Sequence, residues 1–273
     1  MLSVNTNTSA MTALQYLNST SAQLSQTETA INSGLKVASA KDNGAVYAIA
    51  QTMRGNVAGY AAVSDSLNNA TSVVDTAMSA AQSISDLLIQ MKQNALSAAD
   101  SSLDTSSRTA LANDFSSMVQ QITTIVNNAS FNGINLLSGT RKTGIAALAS
   151  ATDTSQKITV GAQTLTTTKL SITKAYTLNA TAAATMVGKV STAISQVNGA
   201  LSALSAGSKK FSIQSSFVSQ LTDTLNTGIG NLVDANMAQE SALLTSLQTK
   251  QQLGVQALSI ANQAPSIVLS LFK

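Results

Sequence analysis

Side chains that could carry out acid–base or nucleophilic catalysis are scarce in this chain. Its 273 residues include no histidine and no cysteine. A serine, threonine or lysine nucleophile needs a neighbouring base, which is most often histidine. The two glutamates, Glu28 and Glu240, stand near opposite ends of the chain, and the aspartates are spread between them. The sequence therefore predicts that the protein is not an enzyme and uses no cofactor.

Sites for phosphate, metal ions or ion pairs are also poorly supported by the residue spacing. Residues 139–144 (GTRKTG) have two glycines but lack the Gly-Lys-Ser/Thr ending of a phosphate-binding loop. The absence of cysteine excludes disulfides, iron–sulfur clusters and thiolate zinc sites. Lys41 and Asp42 could form an ion pair, but an exposed turn is the simpler interpretation because surface pairs contribute little to stability.

The low charge of the chain excludes several classes of partner. Charged residues make up 10% of the sequence and the net charge is +3, whereas an average soluble protein has roughly 25% charged residues. The basic residues are scattered, so the basic stripe that binds nucleic acid is missing. No apolar run reaches the ~20 residues that span a bilayer, which predicts no membrane insertion. No basic stretch leads into an apolar one at the N-terminus, which predicts no ordinary signal peptide.

Apolar residues at alternating three- and four-residue steps predict a long helix at each end of the chain. The first is predicted from about Thr8 to Leu35, and the last from about Leu232 to Ala264, where Pro265 interrupts it. We expect the two helices to pair with each other in a coiled coil. The seam residues of this predicted pair are Leu14, Leu17, Leu24, Ile31, Leu35, Met237, Leu244, Leu247, Leu258 and Ala261.

Three further long helices are predicted between these ends. The first runs from about Ala58 to Ala99, after a short helical piece that ends before Gly55 and Gly59. The second is capped by Asp104 or by one of the hydroxyl residues that follow it. The third begins near Ala180, and glycines at 228 and 230 predict a joint before the last helix.

A small β region is predicted between the second and third of these helices. Residues 130–133 (SFNG) indicate a turn. Residues 157–160 alternate in polarity and predict a hairpin with residues 164–167, while residues 170–172 could add a strand. The predicted fold class is therefore mainly α: an elongated long-helix coiled-coil bundle with a small β-hairpin region between the second outer helix and the C-terminal long helix.

The predicted terminal helices carry almost no charge. From Met1 to Leu35 the only charged side chain is Glu28, and from Gln251 to Phe272 there is none. A helix exposed on a monomer normally has charged residues on its outer face. Serine, threonine, asparagine and glutamine can instead hydrogen-bond inside an interface, where a charge would be costly to bury. The ends therefore predict self-association.

Four segments, in order along the chain, resemble bacterial flagellin. Their residues are most similar to those of alphaproteobacterial flagellins. They are residues 3–11 (SVNTNTSAM), 33–50 (SGLKVASAKDNGAVYAIA), 130–139 (SFNGINLLSG) and 251–265 (QQLGVQALSIANQAP). The resemblance implies an inner coiled-coil domain from residues 1–44 and 231–273, a connector at 45–57, and an outer rod domain at 58–230 with its β-hairpin region at about 139–176. The chain would be a minimal flagellin without large outer domains.

The resemblance implies a structural subunit that polymerises into the extracellular flagellar filament used for swimming. Its implied partners are other copies of itself, an export chaperone at the C-terminal helix, and hook-junction and cap proteins. Export would occur unfolded through the flagellar type III system. Two alternatives remain open at this point: a hook–filament junction protein, or a coiled-coil scaffold or secreted translocator unrelated to motility.

One stretch departs from the pattern by which many flagellins stimulate an innate immune Toll-like receptor. Within residues 88–96 (LIQMKQNAL), Gln90 and Asn94 stand where that pattern has arginine and leucine. The change removes a guanidinium group and an apolar anchor, which are the kinds of group that dominate interface energies. We expect weak recognition by the receptor.

Overall fold

The computed structural model describes residues 6–141, 143–173 and 179–270, with side chains described as far as Gln263. Within these ranges the chain forms five helices: α1 (Thr8–Ser33), α2 (Gly44–Ala98), α3 (Thr105–Asn128), α4 (Ala180–Val233) and α5 (Met237–Ser270). Four short strands lie between α3 and α4: β1 (Ser130–Phe131), β2 (Ile134–Asn135), β3 (Ile145–Leu148) and β4 (Lys157–Val160). The predicted mainly α fold class is confirmed.

Side-chain caps and a glycine account for several helix ends. The Asn7 carboxamide accepts a hydrogen bond from the Ala10 amide at 3.0 Å, and the Asp104 carboxylate accepts one from the Ser107 amide at 2.9 Å. Asp104 is therefore the residue that caps α3, among the alternatives that the sequence left open. Gly34 follows α1 in the left-handed conformation, with φ of 71°, which a glycine adopts without steric cost.

Several predicted helix boundaries were wrong. The helix predicted from Ala58 begins at Gly44, and α4 continues through Gly228 and Gly230 to Val233 without a joint. A single glycine costs a helix only about 1 kcal/mol, which packing along a long helix easily offsets. Helix α1 ends at Ser33, before Leu35. Helix α5 begins at Met237 and continues past Pro265, which removes one backbone hydrogen bond from a helix of 34 residues.

The predicted partner of strand 157–160 was also wrong. Strand β4 pairs antiparallel with β3, from Ile145 opposite Val160 to Leu148 opposite Lys157. Residues 164–167 pair with no strand; the Leu165 amide donates instead to the Leu137 carbonyl at 2.9 Å. Residues 170–172 form no strand, and the apolar side chains at both ends of this segment are buried.

The turn predicted at residues 130–133 is the centre of a second hairpin. Strands β1 and β2 pair around Asn132 and Gly133, whose φ angles are 47° and 73°. Two consecutive residues with positive φ suit the tight hairpin turn that Asn-Gly favours.

The chain divides into two compact units. The central unit comprises Asn56–Asp223. Its core is formed by α2, α3, α4 and the β region, and its largest fully buried side chains include Leu67, Phe115, Leu136, Ile172 and Phe211. The terminal unit joins the residues up to Gly55 with those from Thr224 onward. It contains α1 and α5, which carry the predicted seam.

Candidate assembly surface on the terminal helices

Helices α1 and α5 pack antiparallel within the terminal unit. Near the start of α1, the Asn7 side-chain amide donates to the Ala261 carbonyl at 2.6 Å. Further along, the Gln251 side-chain nitrogen lies 3.4 Å from the Ser21 hydroxyl. Between these contacts Leu17 lies against Gly254, where an added Cβ would be 3.9 Å from the Leu17 Cβ. Both chain ends therefore pair through uncharged residues.

The predicted seam residues differ widely in how far the pair buries them. Leu247 is 1% exposed and is the most buried of them. Six are half-buried: Leu17, Leu24, Ile31, Leu244, Leu258 and Ala261. Leu14 and Met237 are 47% and 43% exposed. Leu35 lies beyond the end of α1 and forms an isolated antiparallel bridge with Asp234.

Large apolar side chains remain exposed on the terminal helices. We call this set the outer apolar face: Met11, Leu14, Tyr16, Met237, Leu243, Leu253, Val255 and Ile260. Tyr16 and Ile260 are 71% and 70% exposed. The pairing of α1 with α5 leaves these side chains uncovered. Sequence reasoning missed Met11, Tyr16, Leu243, Leu253 and Val255, although apolar residues beside a seam are the signal that could have found them.

Clefts beside the pair offer packing surfaces rather than catalytic groups. One, of about 520 Å³, is lined by Thr8, Ser9, Thr12, Ala13, Tyr16, Gly254, Ala257 and Ala261. A more polar cleft of about 850 Å³ reaches from Gln23 and Gln26 to Lys36, Lys41, Asp42, Glu240 and Leu247. Asp42 accepts hydrogen bonds from the amides of Ala38 and Ser39, which holds the turn after α1. In the described part of the chain, no three histidine, cysteine or acidic residues come together as metal ligands.

The two residues of the altered receptor pattern lie on α2. Gln90 is exposed and Asn94 is half-buried, while their neighbours Leu88 and Met91 are fully buried in the core. Gln90 is therefore presented on the surface of the central unit. Among the described residues, no helix is both long enough and apolar enough to cross a membrane.

Comparison with known proteins identifies the chain. The bacterial flagellin N-terminal helical region matches residues 4–142, and the bacterial flagellin C-terminal helical region matches residues 187–272. Flagellin FljM of Caulobacter vibrioides is 46% identical over 99% of this chain and 98% of its own length. The flagellin of Brucella melitensis is 36% identical over the full length of both chains.

A solved structure described as a hook-associated flagellar protein of Vibrio parahaemolyticus has a TM-score of 0.58. It covers 71% of this chain and all of its own, and its 12% identity shows likeness of fold alone. The near full-length relatives are named flagellins, which favours a filament subunit over a junction protein or an unrelated scaffold. The chain belongs to the bacterial flagellin family, with alphaproteobacterial relatives, and is a structural subunit of the extracellular flagellar filament.

Proposed function

We propose that the α1/α5 pair is the part of this subunit that joins it to neighbouring copies in the filament. The observation that carries the proposal is the outer apolar face, on helices with almost no charge. Burying a large apolar side chain stabilises an association by about 1.5–3 kcal/mol relative to leaving it exposed. A partner that covers residues such as Tyr16 and Ile260 would gain this free energy. A second copy of the same pair would bring few charges into the interface, because α1 and α5 carry only Glu28, Glu240 and Lys250.

In this proposal the predicted inner coiled-coil domain, residues 1–44 and 231–273, lines the central channel of the filament. Residues 45–57 connect it to the outer rod, residues 58–230. A face that binds a different face of the next copy builds a helical filament when the rotation between copies does not close into a ring, and this is the arrangement proposed here. The subunit acts mechanically, by transmitting the rotation of the filament during swimming, and has no catalytic role.

Export and assembly require the terminal helices to stay unpaired with other subunits until they reach the growing tip. We propose that the chain is exported unfolded through the flagellar type III system. A chaperone at the C-terminal helix would mask Leu244, Leu247, Leu258 and Ile260 before export. Cap and hook-junction proteins would then contact the same exposed faces at the two ends of the filament.

The residues at positions 90 and 94 of α2 support the proposal that this protein stimulates the Toll-like receptor only weakly. Gln90 is exposed on α2, where an arginine would present a guanidinium group to a partner. A glutamine at this position keeps a polar contact but lacks the charge and the planar donor fork of arginine. Asn94, which is half-buried, offers an amide in place of a leucine anchor.

A change on the outer apolar face tests the assembly role directly. Ile260 is 70% exposed, so Ile260→Gln removes little packing from the isolated chain. We expect a soluble, folded subunit that no longer forms filaments when concentrated with precipitating salt, as judged by sedimentation and electron microscopy. Gln256→Ser changes an exposed polar residue of the same helix and should leave assembly intact. Normal filaments from Ile260→Gln would refute the proposed interface.

A further inference from the structure

The seams of α1 and α5 do not by themselves determine which residues face one another. In the observed register Leu17 meets Gly254 and Ser21 meets Gln251. Sliding α5 by one heptad in either direction would set Leu17 level with Leu247 or Ala261, which are again apolar.

Charged pairs, which commonly select the register of a coiled coil, are also too few here. The charges are Glu28 on α1, and Glu240 and Lys250 on α5. Within the pair the observed register is favoured only by a few contacts, such as Ser21 to Gln251 and Leu17 to Gly254, so a constraint at the end of the pair would add to the selection.

A short pairing at the base of the two helices has the required geometry. We call it the clasp: residues 34–37 with residues 231–235. The Ala235 amide donates to the Gly34 carbonyl at 2.9 Å, and the Lys36 amide donates to the Val233 carbonyl at 2.8 Å. The Lys36 ammonium donates to the Asn231 carbonyl at 3.0 Å. Val233, at 1% exposed, anchors the clasp in the interior of the terminal unit.

We propose that the clasp sets the register of the α1/α5 pair, with Gly34 as its key positioning residue. This inference rests on the proposed role of the pair in assembly. Only Ala235 and Asn236 separate the bridged Asp234 from the start of α5. A slip of one heptad would move a helix by about 10.5 Å. The three peptide links from Asp234 to Met237 span at most about 11 Å when fully extended. A slip of one heptad would use nearly this whole reach, so the clasp opposes it.

Gly34 allows the clasp to be weakened without disturbing any side-chain packing. Its φ of 71° is left-handed, and no atom lies within 4 Å of the position that a Cβ would take. A substitution there acts through the backbone alone. Valine resists this conformation strongly, whereas asparagine adopts it readily. Gly34→Val and Gly34→Asn therefore form a matched pair of variants. We expect Gly34→Val to weaken the clasp and Gly34→Asn to preserve it.

Engineered disulfides can report the register, because the full chain has no cysteine of its own. Leu17→Cys with Gly254→Cys places two Cβ atoms about 3.9 Å apart, within the roughly 3.5–4.5 Å of natural disulfides. Leu17→Cys with Ala261→Cys reports a slip of one heptad. Each pair is introduced into the full chain, oxidised under assembly conditions, and scored for intramolecular disulfides by mass spectrometry of peptides.

With the clasp intact, we expect the 17–254 disulfide to form and the 17–261 disulfide to be undetectable. Gly34→Val should lower the yield of the first several-fold and make the second detectable, whereas Gly34→Asn should match the parent. Lys36→Met, which loses the Asn231 contact, should shift the yields in the same direction but less.

Retention of the 17–254 disulfide alone in both Gly34→Val and Lys36→Met would overturn the role of the clasp. Absence of both disulfides in the parent would instead contradict the helix pairing, and with it the proposed assembly function.

Discussion

A Cβ placed on Gly207 would lie 2.6 Å from both methyl carbons of Val160, so α4 and β4 meet where this glycine has no side chain. We predict that Gly207→Ala destabilises the central unit. Overpacking costs about 1–3 kcal/mol, and alanine returns only about 1 kcal/mol of helix propensity. Urea unfolding followed by circular dichroism measures the net change in the free energy of unfolding.

Gly199 offers a matched control on the same helix. No atom lies within 4 Å of its Cβ position. Gly199→Ala should therefore stabilise the chain, by about 0.4–1 kcal/mol, because alanine restricts the unfolded chain without a clash. The same loss of stability in both variants would show that the Val160 contact is not what requires glycine at residue 207.

These glycines also show what sequence reasoning could and could not predict about the fold. The three- and four-residue periodicity predicted α3 closely, and most of α1 and α4 but not their C-terminal ends, because each helix packs along one apolar stripe. Continuous helix through Gly55 and Gly59 was not predicted, since local propensity disfavours it. The structure places Gly59 against Ala151, a contact between residues far apart in sequence. Similarly, alternation identified β4 but could not name its partner, because β3 reads Ile-Ala-Ala-Leu without alternating polarity.

Arg108 is a second residue whose role only the structure reveals. It is 6% exposed, and its guanidinium donates to the carbonyls of Ala98, Asp100 and Leu103, which close the end of α2 and the turn into α3. Arg108→Met should lower the free energy of unfolding by about 1.5–3 kcal/mol, because the charged hydrogen bonds to these three carbonyls are lost.

Arg108→Lys should recover only part of the stability lost in Arg108→Met, since an ammonium cannot span three carbonyls as a planar fork does. Arg141→Met, at an exposed position, should change stability by less than about 0.5 kcal/mol in the same urea experiment. Full stability in Arg108→Met would show that solvent can replace the guanidinium.

Because of Asp104, the free energy of unfolding of the central unit should decrease as the pH falls into the acidic range. Hydrogen bonds from the Ser107 side chain and amide hold the pKa of Asp104 below its ordinary value of 3.8. A carboxyl with a depressed folded-state pKa contributes stability above its unfolded pKa, and this contribution is lost as the pH falls through the folded pKa. Asp104→Ser keeps a capping oxygen without a titrating group.

Unfolding measured from about pH 6 to about pH 3 should therefore give a shallower loss of stability for Asp104→Ser than for the parent. The difference should begin to open at about pH 5, where the unfolded carboxyl begins to bind its proton, and should grow as the pH falls further. Parallel curves for the two proteins would contradict the assignment of this acid sensitivity to the α3 cap.

The receptor proposal predicts a gain of function. Gln90→Arg combined with Asn94→Leu should raise stimulation of the Toll-like receptor in reporter cells well above that of the parent. Gln90→Lys supplies charge without the planar guanidinium and should recover less. A parent protein that already stimulates at full potency would refute the significance given to both positions.

On the terminal helices, the sequence could predict the residues between α1 and α5, but it could not predict which apolar residues remain exposed. Heptad spacing placed Leu17 and Leu247 on the line between α1 and α5. It could not show that Tyr16 and Val255 stay uncovered, because exposure depends on how many neighbours a helix has. The clasp was equally hidden: the first helix was predicted to run through Gly34 to Leu35, and the pairing of Gly34 with Ala235 joins residues from opposite ends of the chain.

Leu247→Glu tests whether pairing of α1 with α5 is needed for assembly but not for export. Leu247 is 1% exposed, so the change would put a carboxylate in place of a buried apolar side chain, beside the cleft that also contains Lys36 and Lys41. Such burial costs several kcal/mol, and we expect the pair to open and polymerisation to fail. In the proposed export route the chain passes unfolded and does not require the pair, so the variant should accumulate in the culture medium as soluble subunit.

Gln248→Glu is the matched control, since it adds the same charge at the exposed neighbouring position of α5 and should still give filaments. Electron microscopy of sheared cell-surface material, together with immunoblots of the medium, separates export from polymerisation. Normal filaments from Leu247→Glu would contradict the role of the seam, because the carboxylate would then have found water or a partner within the assembled filament. Absence of the variant from both fractions would show that export itself depends on this face of α5.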